Sequence, residues 1–141
     1  TVPVRHLLPY WKTSNRYLFS GGSVNMRDAA VYAKEENWSK AVELWKQTYE
    51  TKKGKQKMYA AYNTALGYEM QDSIDTALEW ALKAQTLARE KSKTDKKETG
   101  EIHDGTISYY IFISMYVDEL EKRKEGMARL NMQMNRFDDD F

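Results

Sequence analysis

The fold is decided by residues 61–84, which read AYNTALGYEMQDSIDTALEWALKA. Small and apolar residues recur there every three or four positions, the spacing of one face of an α-helix. The polar run Gln71–Ser73 interrupts this pattern with residues that favour turns and helix caps. We therefore predict two helices joined by a tight turn, one over about residues 57–70 and one over about residues 74–91.

The same pattern occurs once before in the chain, because 68 − 32 = 36 residues separate Tyr32 from Tyr68. Five residue pairs share this step: Ala29 and Ala65, Tyr32 and Tyr68, Asn37 and Ser73, Ala41 and Ala77, and Thr48 and Ala84. Small residues at matching places let neighbouring helices approach closely. A period of this length, made of two helices and a turn, is typical of a solenoid whose hairpins bury their apolar faces against one another.

The earlier copy predicts a helix that starts at Asn25 as its cap and a second helix that is capped by Asn37. After the repeats, residues 91–101 contain no apolar side chain and are predicted to be a polar loop. A fifth helix then starts near Ile102. It either ends near Gly126 or continues to about Asn135, because a glycine inside a helix costs only about 1 kcal/mol.

Three parts of the chain follow from this interpretation. Residues 1–22 are an extended lead-in arm, since Pro3, Pro9 and Gly21-Gly22 interrupt any regular period, and the start at Thr1 indicates a longer precursor. Residues 23–137 form an all-α helical domain, with repeats over about 23–55 and 58–91 and a capping helix or helix pair over 102–137. Residues 138–141 are an acidic tail.

Composition narrows the possible functions. Lys+Arg number 22 against 21 Asp+Glu, and a net charge of +1 argues against a nucleic-acid partner, since such binders carry a basic surplus. The absence of cysteine excludes disulfides, thiolate metal sites and cysteine nucleophiles. The longest apolar stretch, residues 107–117, is too short to span a bilayer, which needs about 20 residues.

Nothing in the sequence indicates catalysis. His6 and His103 are far apart, and no phosphate-binding or dinucleotide-binding glycine motif occurs. Met127, Met132 and Met134 are compatible with a soft metal, but methionines at helical spacing are mostly core residues. We therefore expect a non-enzyme without a cofactor or a bound metal.

Residues 61–84 closely resemble a tetratricopeptide repeat, without gaps. Tyr62-Asn63, Ala65 and Tyr68 match its first helix, and Asp75, Ala77 and Ala84 match its second. The proline that often ends the motif is absent, and the step of 36 exceeds the usual ~34 residues. The resemblance implies an α-α superhelix.

A narrower resemblance involves Pro9-Tyr10-Trp11, Arg16-Tyr17 and the segment Trp38–Trp45. These residues resemble an uncharacterised family of Bacteroidetes cell-envelope lipoproteins, in which an amino-terminal domain precedes such repeats. The resemblance implies a periplasmic or outer-membrane location, with membrane contact only through a possible upstream lipid anchor outside this chain. It also implies that the upstream domain is missing from this chain, and it implies no known activity.

In tetratricopeptide arrays the first helix of each hairpin lines a concave groove. Carried over to this sequence, the groove would be lined by Arg27, Lys34, Tyr59, Tyr62, Asn63, Leu66 and Glu69, together with Met26 and Ala30. Tyrosine and arginine are frequent interface anchors, and asparagine can bind an extended peptide backbone. The alternative is that the lead-in arm or the carboxy-terminal helix fills the groove, and the sequence leaves both possibilities open.

Two functions are compatible with these patterns. The first is a non-catalytic interaction scaffold that binds a protein or peptide in a bacterial cell envelope. The second is a module that binds a glycan or another nutrient, with Tyr10, Trp11, Tyr59 or Tyr62 as stacking platforms. The sequence identifies neither the partner nor the oligomeric state.

Overall fold

The computed structural model describes residues 7–11, 15–99 and 104–139, with side chains over residues 16–93 and 109–136. These residues form a β-hairpin followed by five helices. The hairpin consists of β1 (Leu7–Trp11) and β2 (Asn15–Phe19). The helices are α1 (Val24–Lys34), α2 (Trp38–Thr51), α3 (Lys55–Met70), α4 (Ile74–Thr99) and α5 (Asp104–Asp139). Apart from the hairpin, the described chain is all-α, as predicted.

Each helix packs against the next in chain order, so α1–α2 and α3–α4 are two stacked hairpins, with α5 against α4. Small residues form the surfaces between them. Ala29 and Ala65 on the first helices, and Ala41 and Ala77 on the second, are fully buried. The predicted alanine-rich packing faces are confirmed.

The turns inside the two hairpins are copies of each other. The amide of Asn37 bonds the carbonyl of Tyr32 at 2.8 Å, and 36 residues later the amide of Ser73 bonds that of Tyr68 at 2.9 Å. The residue before each amide, Glu36 or Asp72, has a positive φ of 60° or 63°. This is the Schellman ending of a helix, in which a left-handed residue lets the chain reverse direction. The 36-residue step is therefore a repeat of backbone geometry as well as of residue type.

Gly67 allows the two hairpins to approach closely. A methyl group at this position would lie 2.4 Å from Val42 and 3.3 Å from Trp45, both on α2. Trp45 is fully buried, and α3 is buried without interruption from Met58 to Gly67. The third helix is therefore the centre of the core.

The helix boundaries correct three predictions. Ser23 caps α1 in place of Asn25, because its hydroxyl accepts the amide hydrogen of Met26. Residues 91–99 continue α4 instead of forming a loop, since that stretch has neither proline nor glycine to stop the helix. Helix α5 runs through Gly126 without a break and ends at Asp139, so residues 138 and 139 belong to it and not to a tail.

The predicted extended arm is a hairpin over its described residues. The register pairs Leu7 with Phe19 and Pro9 with Tyr17 in antiparallel strands. The Tyr17 carbonyl accepts a hydrogen bond from α3, and the Phe19 amide and carbonyl are both bonded to Asn63 of α3. The main-chain groups of these alternate residues of β2 therefore face α3 and not β1. Pro9 is tolerated in β1 because no ladder hydrogen bond requires its missing N–H.

Candidate functional site

The predicted groove side of α3 is occupied by β2 of the same chain. The Asn63 side chain accepts the amide hydrogen of Phe19 at 2.9 Å and donates to the carbonyl of Phe19 at 2.6 Å. The Tyr62 hydroxyl donates to the Tyr17 carbonyl at 2.5 Å. Asn63 therefore binds an extended backbone as expected, but that backbone belongs to the chain itself.

An aromatic cage surrounds the Phe19 side chain, which is fully buried. Its ring stacks on Tyr59 at a centroid distance of 4.2 Å, and it meets Tyr62, Tyr109 and Phe112 edge-on between 5.3 and 6.1 Å. The Tyr59 and Tyr109 hydroxyls are hydrogen-bonded at 2.8 Å. The first two tyrosines come from α3 and the last two rings from α5, so Phe19 connects the hairpin to both helices.

A buried ion cluster lies at the other end of the contact between β2 and α3. Glu69 on α3 accepts two hydrogen bonds from Arg16 of β2, at 3.2 and 3.1 Å, and one from the Tyr116 hydroxyl at 2.8 Å. Arg123 of α5 also donates to the same carboxylate. Both carboxylate oxygens are therefore fully engaged, and the Glu69 side chain has no exposed surface. The cluster connects three segments that are distant in the sequence.

The electrostatics of the cluster follow from burial and from the charge of Glu69. Burial opposes the charged form of Arg16, but the hydrogen bond and the negative charge of Glu69 outweigh it, so the pKa of Arg16 is raised. Burial, reinforced by the same charge, raises the pKa of Tyr116 well above its usual value. Burial also raises the pKa of Tyr62. Both tyrosines therefore remain neutral hydrogen-bond donors, and the cluster offers no free base for proton transfer.

The predicted groove residues thus separate into two groups. Seven are buried: Met26 and Ala30 on α1, and Tyr59, Tyr62, Asn63, Leu66 and Glu69 on α3. Arg27 and Lys34 are exposed on α1. An open groove is therefore wrong for the five residues on α3, because β2 and α5 cover that face. Arg27 and Lys34 as partner contacts stay a prediction.

The aromatic platforms expected for a glycan are affected in the same way. Tyr59 and Tyr62 are buried within the cage and cannot stack on an external sugar. The side chains of Tyr10 and Trp11 lie outside the described part of the molecule. His6 and His103 also lie outside it. Among the described residues no group of three or more metal-binding histidines, cysteines or carboxylates occurs.

An exposed apolar surface lies on what we call the projecting half of α5, residues 124–139. Lys124 still contacts the first turn of α4 through an ion pair with Asp75 at 3.1 Å. Every described side chain from there to residue 136 is exposed. Four of them are large and apolar, with exposed fractions of 44 to 61 %: Met127, Leu130, Met132 and Met134. The prediction that these methionines fill a core is wrong.

Two surface cavities adjoin these features. One of about 460 Å³ separates the turn around Asp72 from the projecting half of α5 and is lined there by Met127 and Asn131. A second of about 210 Å³ lies beside the ion cluster, between Tyr17 and Met115. The second is mostly apolar and lies beside an arginine that Glu69 already binds.

Sequence reasoning missed three members of the site, Arg16, Phe19 and Arg123. Residues 15–19 read Asn-Arg-Tyr-Leu-Phe, two polar residues followed by three apolar ones, so they lack the apolar–polar alternation of a half-buried strand and gave no clear signal. Arg123 gave none, because a charged residue on a helix is usually exposed.

Comparison with known proteins identifies one family. The family model described as Domain of unknown function (DUF6340) matches residues 27–122, which is 122 − 26 = 96 of the 141 residues. No curated protein and no solved structure matches the chain at a significant level. The matched region includes the helical core with Glu69 and Tyr116 of the ion cluster, whereas Arg16 precedes it and Arg123 and the projecting half of α5 follow it. No helix among the described residues has the length and hydrophobicity to cross a bilayer.

Proposed function

The chain belongs to the DUF6340 family, and we propose that it is a non-catalytic protein-interaction domain whose binding surface is the projecting half of α5. The observation that carries the proposal is the exposed apolar side chains of Met127, Leu130 and Met134 on that helix. Apolar side chains concentrated on one exposed segment indicate an interaction site, whereas scattered ones do not. Methionine adapts its shape readily and is common at such surfaces.

The contact between the β-hairpin and the helices has a structural role. The carboxylate of Glu69 is bound by two arginines and a tyrosine, and the Asn63 side chain is bound to the Phe19 backbone. Such groups hold the fold together and leave no nucleophile or base for a reaction.

The type of helical repeat and the cellular location belong to the same proposal. Two stacked hairpins with a step of 36 residues and repeated turns support a tetratricopeptide-like superhelix. The Bacteroidetes lipoprotein resemblance supports a location in the bacterial cell envelope. The hairpin then acts as an internal occupant of the groove, and the partner binds elsewhere.

Capture experiments test the surface. The purified chain and its Leu130→Glu variant are each immobilised and exposed to envelope extract. We expect the chain to retain a defined protein that the variant fails to retain, because a charge opposes burial in an apolar contact. Equal retention by both would contradict this surface, and Leu82→Glu, which alters an exposed leucine on α4, is the matched control.

A further inference from the structure

We propose that the projecting half of α5 pairs with the same segment of a second copy of this chain, as an antiparallel two-helix coiled coil. This inference deepens the proposed function and rests on it, since it identifies the partner. The symmetry expected is a two-fold axis near Asn131, the form of interface most common among homodimers.

The apolar stripe on the projecting half continues the stripe that packs in the bundle. Residues spaced alternately by three and four positions run along one side of α5. They are Ile113, Tyr116, Leu120, Arg123, Met127, Leu130, Met134 and Phe137. Within the bundle, Ile113 and Leu120 are fully buried. Beyond Arg123 the spacing persists, but Met127, Leu130 and Met134 are about half exposed. A heptad pattern of apolar residues packs against a facing helix along its whole length. We therefore infer that the apolar side chains of the projecting half are covered by a second helix.

The length of the segment is sufficient for such a pair. Sixteen residues, 124–139, extend for about 24 Å at the rise of an α-helix. Isolated helices of this length are marginal in water, so pairing would also stabilise the segment. The cavity of about 460 Å³ beside Met127 leaves room for the end of the second helix next to the turn at Asp72.

Charges along the helix favour a second copy over an unrelated helix. The positions that flank the stripe on one side are Lys124, Asn131 and Asp138, spaced by seven residues on either side of Asn131. In an antiparallel coiled coil centred on Asn131, position 124 of one helix faces position 138 of the other, so lysine meets aspartate twice. The segment is therefore complementary to itself.

The opposite orientation is disfavoured by the same charges. A parallel pair would place Lys124 and Asp138 at opposite ends of the contact, so both lysine–aspartate pairs would be lost. The ion pair of Lys124 with Asp75 does not prevent Lys124 from pairing with Asp138 of the second copy. Both side chains are mostly exposed, and exposed ion pairs contribute little to stability.

Cysteine cross-linking tests the pairing on the full chain, which contains no cysteine of its own. We expect Asn131→Cys to form a disulfide-linked dimer rapidly under mild oxidation, because the two-fold axis brings position 131 of both copies together. Met132→Cys is the matched control. Position 132 is also exposed but lies on the outer side of the heptad, so it should cross-link at least about tenfold more slowly.

Orientation is tested with a mixture of two variants. Lys124→Cys and Asp138→Cys should cross-link with each other and only slowly with themselves. Preferential self-linking of Lys124→Cys would overturn the antiparallel arrangement.

Sedimentation of the unmodified chain completes the test. We expect a concentration-dependent dimer that Leu130→Glu weakens at least about tenfold while the helical circular dichroism is kept. A monomer at all concentrations, or equal cross-linking at positions 131 and 132, would overturn the inference. The proposed function would survive a monomer if envelope extract still supplied a protein that binds the chain and not the variant. It would fail if neither result appeared.

Discussion

Asn63 is the residue that holds the hairpin against the helices. Replacement by leucine keeps the approximate volume but leaves the Phe19 amide and carbonyl without partners inside the core. We expect a loss of about 2–4 kcal/mol in the free energy of unfolding, because each buried unsatisfied group costs about 1–3 kcal/mol. Urea unfolding measures the change. Asn25→Leu removes only an exposed hydrogen bond to Gln47 and should change stability little; a similar loss in both variants would contradict this role.

Glu69 compensates two arginines at once. In Glu69→Gln the side chain keeps its shape, but Arg16 and Arg123 lose their common counter-ion. We expect a destabilisation of about 3 kcal/mol, the order of magnitude for breaking a buried ion pair from one side. The control is Glu119→Gln, which removes an exposed carboxylate on α5 one helical turn before Arg123. Thermal or urea unfolding should separate the two variants clearly, and equal stability would show that the cluster is solvated.

The buried tyrosines predict a loss of stability at high pH. The pKa of Tyr116 and that of Tyr62 are raised above 10 in the folded chain by burial, while the unfolded chain titrates near 10. The unfolded state therefore binds fewer protons above pH 10, and the stability that is fully present below pH 10 falls as the pH rises. Each pH unit above 10 should remove up to about 1.4 kcal/mol for each such tyrosine.

Unfolding in urea at pH 9 and pH 11 measures this loss, with tyrosinate absorbance as a second readout. Tyr116→Phe should flatten the pH dependence, because phenylalanine cannot ionise in the unfolded state. An unchanged slope in that variant would contradict the assignment. Tyr17→Phe, at a more exposed tyrosine, is the control.

At the scale of the element, the contact between α2 and α3 depends on a single glycine. Gly67→Ala would place a methyl group 2.4 Å from Val42, so the two helices must separate. We expect a destabilisation of about 1–3 kcal/mol, the usual cost of overpacking. Gly126→Ala meets no atom within 4 Å and should stabilise α5 by about 0.5–1 kcal/mol. Opposite signs in chemical denaturation confirm the account, and equal signs contradict it.

The sequence predicted elements better than it predicted what covers them. Alanine periodicity located the helices, and the step of 36 located the repeated turns, because both patterns arise from contacts within or between adjacent helices. The predicted end of α4 near residue 91 was wrong, because residues 91–99 lack the apolar face from which helical periodicity is recognised. The five groove residues on α3 were assigned from the tetratricopeptide resemblance, but β2 and α5 reach that face from 44 to 54 residues away. Contacts across such distances have no local signature in a single chain.

At the scale of the whole molecule, one face of α3 is covered and the second half of α5 is exposed. The hairpin and the first half of α5 close the groove through Phe19, Asn63 and Glu69. The second half of α5 remains exposed and carries the proposed contact. The chain is thus a helical domain whose own β-hairpin and α5 cover α3, and the helix that we propose for pairing is the exposed second half of α5.

Amide hydrogen exchange of the full chain, resolved by residue at low protein concentration, tests this division most directly. The account predicts that the Phe19 amide exchanges as slowly as the amides of the α3 core, because it is bonded to buried Asn63. Amides over residues 127–136 should exchange orders of magnitude faster and become protected as the protein concentration rises. A Phe19 amide that exchanges as fast as those in residues 127–136 would show that the groove is open and would contradict the account.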